Sequence, residues 1–107
     1  MDENLAMKTY RGSRGIDALQ VWVDGQPLDE RTDLKRLSNS GFEWTYEGKG
    51  PAQLALAILA DCLGNDAKAL ALYEAFMTKV VANLDNDWEL TAEQVAEAVA
   101  ALESGGA

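Results

Sequence analysis

Glycines 48 and 50 flank Lys49, and Pro51 and a run of apolar residues follow directly. A glycine turn at the start of a helix can cradle an anion, because the first amides of a helix have no partner within it and carry partial positive charge. Lys49 would add a full charge beside Gly48 and Gly50, and Arg11 and Arg14 would add two more if the first strand ended nearby. One helix end contributes about 0.3 to 1 kcal/mol, whereas millimolar affinity needs about 4 kcal/mol. An anion site therefore requires the arginines to be assembled at the turn. The motif is neither a Walker A loop nor a dinucleotide fingerprint, and Pro51 removes one amide. The first reading of the turn is structural, with a site for a phosphate- or carboxylate-bearing small molecule as the alternative.

Other reactive residues are few. The chain has no histidine to act as base or metal ligand, and its one cysteine, Cys62, lies among apolar neighbours and reads as a small core residue. Asp85, Asp87 and Glu89 alternate as in a calcium loop, but Leu90 stands where that loop needs glycine and Ala96 where it needs a bidentate glutamate. These acids read as the capping and solvation of a helix start. No catalytic residue, metal site or cofactor is expected. Glu89, Glu93 and Glu97 recur every four residues, a spacing that would line carboxylates along one exposed ridge. Trp22 lies opposite the aliphatic set of its strand and is the better surface tryptophan, a natural interface anchor, whereas Trp44 reads as core.

The charge distribution points the same way. The net charge is -9; residues 1 to 50 carry seven basic and nine acidic side chains, and 51 to 107 carry two and nine. Such a field repels phosphate backbones and favours a basic partner, so direct nucleic-acid binding is not expected. No apolar run is long enough to cross a bilayer, and the first fifteen residues lack the pattern of a secretory signal. A cytoplasmic setting is compatible with all of this.

The 107 residues fit one domain, expected over 8 to 103 with flexible ends at 1–7 and 104–107. Leu19, Val21 and Val23 alternate with polar residues in a strand, Asp24-Gly25 is a hairpin signal, and Pro27 implies a short or edge strand after it. A further strand is expected near Lys8 to Gly12. "FEWTY" also alternates, which predicts a strand with Phe42, Trp44 and Tyr46 on one face. "DERTDLKRL" reads equally as a short helix or a loop. After Pro51 the period becomes helical. Leu54, Leu56, Ile58, Leu59 and Leu63 mark a buried central helix ending at Gly64. Asn65 or Asp66 caps a second helix with Leu70, Tyr73, Phe76, Met77, Val80, Val81 and Leu84 inward. Thr91 to Gln94 opens a third, which carries Val95, Ala98, Val99 and Leu102 inward. The expectation is an α+β domain, with three to four mainly antiparallel strands packed on about three helices.

Tyr10-x-Gly12-x-Arg14, "VWVDGQPL", Gly41-Phe42-Glu43-Trp44 and, above all, Gly48-x-Gly50-Pro51-Ala52-Gln53-Leu54-Ala55 resemble a family of short uncharacterised bacterial proteins, some carried by phages or plasmids. The resemblance spans roughly residues 10 to 90 and is most specific at "GPAQLA". That family has small residues where this chain has Thr45, Glu47 and Lys49, and the resemblance implies no activity. Together these features lead us to expect a small non-enzymatic factor that binds another protein. It would act as an accessory or inhibitor against a basic, nucleic-acid-handling host or defence protein, through Trp22, Glu89, Glu93 and Glu97. A homo-oligomer is a third reading.

Overall fold

Side-chain alternation builds the amino-terminal part of the sheet. In the computed structural model, which describes residues 8–15 and 19–105, β1 (Thr9–Arg14) pairs antiparallel with β2 (Leu19–Val23). The expectation for residues 1–7 lies outside the described residues, as does that for 106 and 107. Asp24 and Gly25 both take positive φ, 50° and 83°, the geometry that joins two strands in the tightest hairpin. The following strand, β3 (Gln26–Pro27), is only two residues long and lies at the sheet edge, where a missing amide costs no ladder bond.

The fourth strand is not "FEWTY". Residues 41–48 form no regular element, Thr45 has a φ of 80°, and the alternation breaks: Trp44 is fully buried while Tyr46 is half exposed. The position beside β1 belongs to β4 (Trp88–Thr91), which pairs antiparallel with it, Tyr10 opposite Leu90 and Gly12 opposite Trp88. The strand order is β3-β2-β1-β4. Asp85, Asp87 and Glu89 thus lead into and lie on a strand, and do not solvate a helix start.

Helix α1 (Lys49–Leu63) begins two residues before Pro51, which still falls in the first turn, where its missing donor costs nothing. Every residue from Gly50 to Ala60 is buried, so α1 is the central pillar. Leu54, Leu56, Ile58 and Leu59 are wholly inaccessible and contribute about 1.5 to 3 kcal/mol each. Gly64 ends the helix in the left-handed region (φ 63°). In α2 (Asp66–Lys79) the Asn65 side chain accepts a hydrogen bond from the Lys68 amide, and Ala69, Tyr73 and Phe76 face inward. Leu70, expected inside, is 37% exposed. A single 3-10 turn, Val81–Asn83, buries Val81 before β4. Helix α3 (Ala92–Glu103) opens with the expected capping box of Thr91 and Gln94, and it buries Val95 and Val99. The molecule is an α+β domain: a four-stranded antiparallel sheet packed on three helices. Among the described residues, no helix is long and apolar enough to cross a membrane.

Residues 28–48 cover the core as loop. "DERTDLKRL" is not helical. Leu28 is buried, and Leu34 and Leu37 pack against the core from the outside.

Candidate functional site

Tyr10, Gly12 and Arg14 stand two residues apart, so all three point to the inner face of β1. Each is tied to a different element. The Tyr10 hydroxyl donates to Asp61 of α1 at 2.6 Å, and Lys8 Nζ reaches the same carboxylate oxygen at 3.0 Å. Gly12 makes room for the Trp88 indole: a Cβ there would lie 2.2 Å from Trp88 Nε1. Trp88 in turn meets Trp44 edge to face at 5.8 Å. Arg14 stacks over Trp44 at 5.0 Å and donates to Glu43 Oε1, the Trp44 carbonyl and Asn86 Oδ1. The Asn86 carbonyl accepts from Trp44 Nε1. This stripe therefore fastens the sheet to α1, to the loop at 43–44 and to the segment before β4.

Burial, and after it the bond to Asp61, pushes the Tyr10 phenol well above its ordinary value of 10.0. The folded state then holds that proton more tightly than the unfolded chain. Its contribution to stability is complete below pH 10 and is lost above it, by about 1.4 kcal/mol per pH unit. In an alkaline titration followed by phenolate absorbance, Tyr10 should ionise only as the fold opens. Tyr10→Phe should leave the absorbance gained before unfolding unchanged, and a smaller gain would contradict this assignment. Burial likewise raises the Cys62 thiol, whose sulfur lies 3.9 Å from the Ala92 carbonyl; the side chain is partly buried and packs against the core from its edge.

The glycine turn has a packing reason. A Cβ on Gly50 would come within 2.7 Å of the Glu43 Cβ, so the loop at 43 seats directly on the start of α1. The Glu43 carboxylate itself accepts from Arg14 and from the Trp44 amide. Of the five residues of an anion site, Gly48, Lys49 and Gly50 form the turn, and Glu47 and Glu74 line the groove beside it. Arg14 is one contact away, committed to Glu43, and Arg11 is on the outer face of the sheet paired with Glu89 at 3.5 Å. The structure does not bring the five together.

Gln53, a polar side chain within the apolar run of α1 from Gly50 to Ala60, is fully buried. Its Oε1 accepts from the Leu37 and Ser38 amides at 2.7 and 3.1 Å, and its Nε2 donates to the Glu30 and Lys35 carbonyls at 2.7 and 3.1 Å. Four bonds use the whole capacity of a carboxamide. Gln53 therefore holds the covering loop.

The outer face of the sheet is different in character. Arg11 stands opposite Trp22 on one side and Glu89 on the other, and Trp22 stands opposite Pro27, so one row crosses all four strands. Arg11 and Glu89 are more than half exposed, and Gln20 and Asp24 are exposed beside them. Trp22 is partly exposed between two shallow concavities of about 300 and 420 Å³, the first bordered by Asp24 and the second by Asp87 and Glu89. Among the described residues no helix covers this face. Glu93 and Glu97 are exposed one turn apart on α3, whereas Glu89 belongs to β4, so the three do not form one helical ridge. Alternation alone placed Trp22 outward. Periodicity does not give the partners of Gln53, Trp88 and Asp61, although the alternation of Trp88 and Leu90 with acidic residues is a strand signal for β4. Among the described residues no group of three or more histidines, cysteines or acids could hold a metal ion.

No curated protein and no solved structure matches the chain in comparisons of sequence and fold. A family model matches residues 10–101, a span that contains the inward stripe of β1, the glycine turn, Gln53 and β4. The chain therefore belongs to the family of unknown function DUF6166.

Proposed function

We propose that this domain binds another protein without catalysing a reaction, and that it docks through the outer face of its sheet onto a basic surface. The observation that carries the reading is Trp22, set partly exposed at the middle of a face that no described helix covers, with Asp24, Asp87 and Glu89 around it. An amphipathic ring with carboxylates at its rim suits a partner that offers an apolar notch within positive charge. Edge pairing is the poorer mode, because β3 is two residues long and ends in proline, and β4 is short. The net charge of -9 favours fast, salt-sensitive association with such a partner. In this reading the domain is an accessory or inhibitory factor, in a cytoplasmic setting, that occupies a surface used by a nucleic-acid-handling protein.

The purified chain, used as bait in cell lysate, should retain a basic protein at low salt and release it at high salt. Trp22→Ala, shown to be folded by circular dichroism, should lose at least about tenfold in capture. Equal capture by the variant, or none by the parent, would overturn the proposal.

A further inference from the structure

The two concavities beside Trp22 share one construction. In the first, Asp24 Oδ1 accepts a hydrogen bond from the Thr9 amide at 2.9 Å. In the second, Asp87 Oδ1 accepts one from the Arg14 amide at 3.2 Å. Each carboxylate is thus pinned to the backbone of β1, one at either end of the strand, with exposed oxygen left over. The Arg11–Trp22 pair forms the ridge between them. Thr9 and Arg14 are five residues apart, so at about 3.3 Å per residue the two carboxylates lie about 16 to 17 Å apart along β1, on opposite sides of it. Within the second concavity Arg11 meets Glu89 at 3.5 Å, and both are more than half exposed, a pairing that water weakens. Glu89 is therefore free to exchange Arg11 for an incoming cation.

Building on the docking reading above, we infer that this face recognises an extended segment of the partner that carries two basic side chains four residues apart, one for Asp24 and one for Asp87, with an apolar residue between them on Trp22. An extended chain spaces such residues about 13 Å apart on one side, and two long basic side chains splayed outward cover the remaining distance to the two carboxylates. Arginine suits both positions better than lysine, because its planar head binds carboxylates with two donors and stacks on an indole.

The test uses short peptides of equal length and charge, with two arginines at spacing four or at spacing two around one leucine. Their affinities for the full chain are measured by calorimetry at physiological salt. Spacing four should bind at least about fivefold more tightly. Asp24→Asn and Asp87→Asn both keep the amide-accepting oxygen, and asparagine tolerates the positive φ at position 24. Each should abolish that preference, whereas Glu47→Gln with Glu74→Gln, exposed beside the glycine turn, should leave it intact. Equal binding of the two spacings, or equal loss in all variants, would overturn the inference as mere charge attraction. A Trp22-dependent capture from lysate would still leave the broader docking reading standing in that case.

Discussion

Replacing Gln53 with leucine is expected to destabilise the domain by about 3 to 5 kcal/mol, although it swaps a polar core residue for an apolar one of similar volume. The loss comes from four groups that remain. The amides of Leu37 and Ser38 and the carbonyls of Glu30 and Lys35 stay behind the loop with no other partner shown for them. Each buried group without a partner costs about 1 to 3 kcal/mol, and outward movement of the loop recovers part of that. Urea unfolding gives the total, and hydrogen exchange gives the place. Protection should fall first at Leu37 and Ser38, while the β1–β2 ladder keeps its own. A variant within 1 kcal/mol of the parent would show that the covering loop is held by something else.

Gly12→Ala should cost about 3 kcal/mol through a different mechanism. One methyl group would sit 2.2 Å from Trp88 Nε1 and 2.4 Å from Cε2, far inside contact distance. The indole cannot yield alone. It is 8% exposed, lies against Trp44, and belongs to the strand paired with Gly12. The added methyl must therefore lift β4 from β1 or rotate Trp88 out of the core. Trp88→Leu frees the space at a cost of its own, so a double-mutant cycle should show that Gly12→Ala is nearly harmless in that background. Additive effects would mean that the two residues do not meet.

How much of this was legible depended on how local the cause was. The Asp24-Gly25 hairpin, the Asn65 and Thr91 caps and the buried run after Pro51 each follow from a few adjacent residues. The structure bears these out, with Asn65 as the cap where the sequence allows Asn65 or Asp66. "FEWTY" misled because an aromatic–polar alternation describes a strand only if a neighbour supplies the ladder, and β1 receives that from β4. The same limit governed the outer face. Trp22 could be turned outward from the period of its own strand, but Arg11 and Glu89 become its row-mates only through a register set far along the chain. Gln53 is the odd residue in the apolar run from Gly50 to Ala60. Its four partners lie in a loop whose path no periodicity records.

The pairing of β1 with β4 also bears on the order of assembly. Thr9 and Thr91 are partners about 80 residues apart, and closing so long a loop costs about 2 kcal/mol more entropy than closing the neighbouring hairpin. The helices and the β1–β2 ribbon form from nearby contacts, so the seam at Gly12 and Trp88 should close last and govern the refolding rate. A chain arrested before that moment offers the unpaired rim of β1 to any matching strand in solution. Crowded refolding should therefore favour dimers that have exchanged their last strand, and dilution should suppress them.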